Sequence, residues 1–141
     1  MGSAINDITH VIQLAVAPVF LLTAIATLIG ALNTRLGRIV DRKRIVQERA
    51  GGLSHQQRVD ADQELDLLFR RARLIYFAIL SAVLSALLIC LVVASAFVGA
   101  LFLVGVTLFI ALFFILSMCA LCTSLALLLR EVFLAVTVWK L

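Results

Sequence analysis

Apolar residues fall into two long blocks, and most of the polar residues are gathered between them. Val11 to Leu32 contains no charged residue, and neither does the longer run Leu74 to Leu129. A helix rises about 1.5 Å per residue, so about 20 apolar residues cross the roughly 30 Å of bilayer hydrocarbon. The first block predicts one membrane span, at about 11–32. The second is too long for one span and predicts two, at about 74–96 and 101–129. A tight turn around Phe97 to Ala100 would join them.

The polar stretch between the blocks is patterned as well. Asn33 to Arg49 has no proline, and Leu36, Ile39, Val40 and Val46 recur at roughly helical spacing among Arg and Lys. The first span is therefore expected to continue as a helical rod, which Gly51 and Gly52 bring to a stop. Ser54, with Gln57 three residues on, reads as a capping box that opens a new helix. In it Ala61, Leu65, Leu68, Ala72 and Ile75 make a stripe, in steps of four and three, that leads into the second span. The two stripes predict an antiparallel hairpin over about 33–73; packing of each rod against another subunit is the alternative. The tail, 130–141, ends with Trp139 and Lys140 and either extends the third helix or lies along the membrane interface. A helix from Leu101 to Leu141 would be about 60 Å long, so a bend, a tilt or an extension past the membrane must absorb the excess. The fold class is an all-α integral membrane protein with one membrane domain over 1–141. It has three transmembrane helices, the first two extended into a cytoplasmic helical hairpin.

Composition and charge sharpen this picture. Of the 141 residues 64% are hydrophobic and 14% charged, and the mean hydropathy is +1.17, far from the balance a wetted surface requires. Ten of the twelve Lys and Arg, and six of the eight Asp and Glu, lie between Asn33 and Arg73. The basic clusters abut predicted spans, so they read as topology signals that meet anionic headgroups, not as a nucleic-acid surface. Asp7 precedes the first span and no Lys or Arg does, which is the flank of a retained span and not of a cleaved signal peptide. The flanks agree on one orientation in an inner membrane: N-terminus outside, central segment and C-terminus cytoplasmic.

Candidate chemistry is sparse. Asn6, His10 and Gln13 share a helix face, and with Asp7 they form a candidate polar mouth or pore lining at the outer end of the first span. Pro18 lacks a backbone donor and is expected to kink the helix or open a local gap. Arg35, Arg38, Arg42, Lys43, Arg70, Arg71 and Arg73 are candidate contacts for anionic lipid or a partner protein. Arg38, Asp41 and Arg42 make a mixed-charge face suited to an ion pair across the hairpin or between subunits. Cys119 and Cys122 form C-x-x-C, but inside an apolar span without the context that gives that motif its redox chemistry. No set of nucleophile, base and orienter is present, so no enzyme, cofactor or metal is expected. Ala26 and Gly30, and Ala78, Ser81, Ala82, Ser85 and Ala86, permit close helix contact. Self-association is the expectation drawn from them. Two functions compete: a homo-oligomeric, ion-conducting pore, and a structural or regulatory membrane module whose basic hairpin binds a partner or anionic lipid.

Two segments carry a resemblance. Ile8 to Thr23, with its APVFLL core, and Leu32 to Arg42, with RLGRIVDR, resemble the bacterial membrane family catalogued as domain of unknown function 2721. The resemblance implies the same layout over essentially the whole chain. It implies no activity, so it assigns no residue a role.

Overall fold

Three helices account for nearly all of the computed structural model, which describes residues 1–139 and, of Val138 and Trp139, the backbone alone. Helix α1 is Gly2–Arg49, α2 is His55–Phe102 and α3 is Thr107–Trp139. A single 3-10 turn at Ala50–Gly52 follows α1, where the paired glycines were expected to stop it. Ser54 then precedes α2, and its backbone N–H donates to Gln57 Oε1 at 3.1 Å, the Gln half of the expected capping box. At 48 residues each, α1 and α2 are about 72 Å long, more than twice the thickness of bilayer hydrocarbon. Among the described residues there is no strand.

The buried positions follow a period of seven. On α1 they are Ile25, Leu32, Ile39 and Val46; on α2 they are Ala61, Leu68, Ile75, Ala82 and Ile89, with Ala78, Ser85 and Val92 three residues further round. This is the heptad interval that keeps one seam of a helix against its neighbours. Ile39 and Val46 take part as the polar pattern predicted, whereas Val40 faces outward. One residue beyond Ile39, it is rotated by about 100° and falls off the seam.

The chain forms two compact units, each assembled from all three helices. The first comprises Met1–Ile29 and Ser81–Thr123. Its core is Ile25, Ala82 and Ile89, packed against Leu21, Leu22, Leu28, Ile29, Ala86 and Leu121. There α2 and α3 touch through hydroxyls. Ser85 Oγ lies 2.9 Å from the Ser117 carbonyl and Ser117 Oγ lies 3.0 Å from the Ser85 carbonyl, so each hydroxyl donates to the opposite backbone. Ser81 Oγ donates to the Ala120 carbonyl at 2.6 Å. The small residues expected to serve association between copies are thus used within the chain, while Ala26 and Gly30 stay exposed.

The turn between the last two helices is displaced from the expected Phe97 to Ala100. Helix α2 continues through those residues to Phe102, and the turn occupies 103–106. Leu103 takes a left-handed backbone at φ 55°, an uncommon conformation for a side chain of this kind. Val106 folds back onto Gly99, where a Cβ would collide with its side chain, so Gly99 is the close approach and not the turn.

The second unit comprises Gly30–Leu80 and Ser124–Leu141. Arg42 Nε donates to Glu64 Oε1 at 2.8 Å, linking the polar halves of α1 and α2. Both side chains are well exposed, so the pair is worth under about 1 kcal/mol. Of the predicted stripe, Ala61, Leu68 and Ile75 are buried, and Leu65 and Ala72 are half-buried. Helix α3 starts at Thr107, later than the expected 101, and runs unbroken to Trp139. The tail is therefore a helical extension at least that far; the expectation for Lys140 and Leu141 lies outside the described residues.

Candidate functional site

Arg35, Arg71 and Glu131 each sit within one helical turn of the end of an uncharged block, on α1, α2 and α3 respectively. In the second unit they meet. Glu131 is 1% exposed although it is an acid. Its Oε2 accepts from Arg35 Nη1 at 2.9 Å, and its Oε1 accepts from Arg71 Nε at 3.1 Å and Nη2 at 2.8 Å. A carboxylate taken out of water is tolerated only when paired and hydrogen-bonded, and here both oxygens are. One acid therefore joins all three helices.

The triad forms one wall of a cleft of about 300 Å³, with Ile39 and Leu68 as its apolar surfaces and Arg38 and Arg42 completing the polar lining. On α1 the residues Arg35, Arg38, Ile39 and Arg42 follow at intervals of three and four, so one face presents three guanidiniums. Four cations and one carboxylate line the cleft. Glu64, which pairs with Arg42 from outside the lining, offsets one more. Arg38 has no hydrogen bond or ion pair among the described residues.

Of the predicted contact set, Arg35, Arg38, Arg42 and Arg71 are thus brought together and the rest are not. Lys43 Nζ lies 3.9 Å from the centroid of the Phe69 ring. Arg73 lies over Phe77 at 5.7 Å, and Arg70 pairs with Asp66 at 3.6 Å along α2. Asp41 is exposed, and the acid that answers Arg42 is Glu64.

The predicted outer mouth has a different character. Asn6, Asp7, His10 and Gln13 are all exposed along the first turns of α1. Pro18 lies within α1, which continues as a helix past it. It lines an apolar cavity of about 480 Å³ in the first unit, with Leu14, Ala17, Val92, Ile110 and Phe114 among its neighbours. Cys90, Cys119 and Cys122 are free and exposed.

Sequence reasoning missed Glu131 and the role of the serines. A signal was present: Ser117, Ser124 and Glu131 recur every seven residues on α3 and are the polar members of its buried seam. Ser124 Oγ donates to the Ala78 carbonyl at 2.7 Å in the second unit.

These features define the class: an all-helical protein with three helices long and apolar enough to cross a membrane. More particularly, the family model described as "Protein of unknown function (DUF2721)" matches residues 15–141, and the chain belongs to that family. The matched region contains the whole arginine cleft and begins after Asn6, Asp7, His10 and Gln13. No curated protein and no solved structure matches the chain.

Proposed function

We propose that this protein is a multi-pass integral membrane module with its N-terminus outside, its polar hairpin and C-terminus cytoplasmic, and its basic hairpin engaged with anionic lipid. One observation carries the reading. The most apolar windows of the three helices are only 6%, 28% and 11% buried within the chain. In water such a surface would exceed by far the few hundred Å² that a soluble monomer exposes; in a bilayer it is the lipid-facing side. The heptad seams supply the complementary fact, since Ala78, Ala82, Ser85, Ser117 and Ser124 face inward where α2 and α3 meet. The orientation rests on charge, because each apolar block ends in arginine on the hairpin side.

Near an anionic surface each Lys or Arg is worth about 1 kcal/mol, and salt screens the attraction. The full chain in nanodiscs of phosphatidylcholine with phosphatidylglycerol should therefore melt higher than in phosphatidylcholine alone, and added salt should shrink the gap. Lys43→Glu, Arg70→Glu and Arg73→Glu together, all outside the cleft, should remove it. Equal melting in both lipids would refute the lipid-engaging hairpin.

The competing pore reading draws less from the geometry. Asn6, Asp7, His10 and Gln13 are exposed along the first turns of α1, so a wet path along them requires several copies to enclose it. The open cavity at Pro18 is lined by apolar side chains and Thr107.

A further inference from the structure

We propose that the cleft between Arg35, Arg38, Arg42 and Arg71 is a binding site for a phosphate monoester. The inference deepens the lipid reading above and rests on it only for the source of the ligand; the site itself rests on charge, donors and shape.

The charge in the cleft is unbalanced. Four guanidiniums share Glu131 within the lining and Glu64 outside it, which leaves two positive charges without a counter-charge. The donors are unbalanced in the same sense. Each guanidinium carries five N–H groups. Arg35 directs one at Glu131, Arg71 two, Arg42 one at Glu64, and Arg38 none at any protein group among the described residues. Most of these N–H groups therefore make no bond to the protein among the described residues, and their side chains line a volume of about 300 Å³, the lower end of the roughly 300–1,000 Å³ range of small-molecule sites.

That combination selects the ligand. A phosphate monoester brings about −1.5 to −2 charges and three strong acceptor oxygens, which matches both the residual charge and donors that arrive from two helices. A diester offers one charge and two free oxygens. A carboxylate is planar and duplicates what Glu131 already supplies. Arginine forks also bind oxyanions with a directionality that ammonium groups lack.

Glu131 gives the site its rigidity. By holding Arg35 and Arg71 at fixed positions it prepares two donors before the ligand arrives, which lowers the ordering cost of binding. Arg38 is the group left to close on the phosphate. Because the cleft lies at the ends of the two uncharged blocks, the same chemistry can reach it from a lipid headgroup or from a soluble phosphate.

The test uses the full chain in phosphatidylcholine nanodiscs, with melting temperature and native mass spectrometry as readouts. The probes are phosphatidic acid, phosphatidylglycerol and inorganic phosphate, with chloride as the ionic control. Phosphatidic acid should bind more tightly than phosphatidylglycerol. Arg38→Gln should weaken phosphatidic acid binding roughly tenfold, as the loss of one charge-assisted interaction requires, while the melting temperature without ligand stays unchanged. Arg38→Lys should restore part of the loss. Binding of inorganic phosphate that depends on Arg38 supports the site and identifies a soluble source as sufficient; binding of phosphatidic acid alone supports it and identifies the lipid.

Phosphatidic acid and phosphatidylglycerol binding equally, or Arg38→Gln leaving affinity unchanged, would overturn the site. The anionic-surface reading would survive that result. Conversely, Arg38-dependent phosphate binding with no preference for anionic nanodiscs would keep the site and remove the broader lipid reading.

Discussion

Glu131→Leu is expected to destabilise the protein by about 3 kcal/mol, the lower end of the cost of breaking a buried ion pair from one side. Removing the carboxylate leaves Arg35 and Arg71 facing each other across an apolar seam with no counter-charge. The lower end applies because their side chains are 46% and 25% exposed, so water recovers part of each charge. The same figures rank the two cations. Arg71 directs two N–H groups at Glu131 and is the less exposed, so Arg71→Ala should cost more than Arg35→Ala. Glu131→Gln keeps the shape and some hydrogen bonding, and should fall between the parent and Glu131→Leu. Equilibrium unfolding in mixed micelles gives all four values. A Glu131→Leu protein as stable as the parent would remove the triad from any account of how α3 is held.

Ser117→Leu is the second large effect, expected at about 2 kcal/mol or more, in the range of overpacked cores. Ser117 has no exposed surface, and its hydroxyl and that of Ser85 each reach the other's carbonyl. A leucine has no room there unless α2 and α3 separate. The separation would also strand the Ser85 hydroxyl. Ser117→Ala tests the other half of the argument. It deletes only the hydrogen bond, and interhelical hydrogen bonds in membranes average about 0.6 kcal/mol. The packing account requires the leucine variant to be several times worse than the alanine variant in the same unfolding assay. If both cost the same, hydrogen bonding and not close approach governs the contact.

How much of this could be read along the chain depended on where polar residues stood. In the polar half, apolar residues are the exception, so Ala61, Leu68 and Ile75 announce the buried face by contrast. Val40 shows the limit of that contrast, since an apolar residue one step off the seam fits the spacing almost as well. In the apolar half the contrast inverts. Both faces of α3 are hydrophobic, and large side chains such as Leu108, Phe109 and Ile115 point outward. There the inward face is marked by what is small or polar: Ser117, Ser124 and Glu131. Glu131 stands out as one of the few charges outside the hairpin, and its seven-residue interval from Ser124 is what marks it as inward-facing.

The turn lies beyond Phe97 to Ala100 for a related reason. Phe97 to Ala100 contains a glycine and small residues, which in water would favour a loop. The helix instead continues through them, and Gly99 gives room for the close approach of Val106. Arg38 and Arg42 were legible as one face of a rod. That Arg71 and Glu131 complete the cleft was not, because it requires the register between three helices, which the heptads fix only in pairs.

The central claim, three spans with the hairpin inside, is tested most directly by site-specific labelling in intact cells. Cys90, Cys119 and Cys122 would be replaced by alanine, and single cysteines placed at Ser3→Cys, Ser54→Cys and Gly105→Cys, all exposed positions. A membrane-impermeant maleimide should label Ser3→Cys and Gly105→Cys in intact cells, and Ser54→Cys only after permeabilisation. Labelling of Ser54→Cys in intact cells, or of Ser3→Cys and Gly105→Cys on opposite sides, would contradict the three-span account.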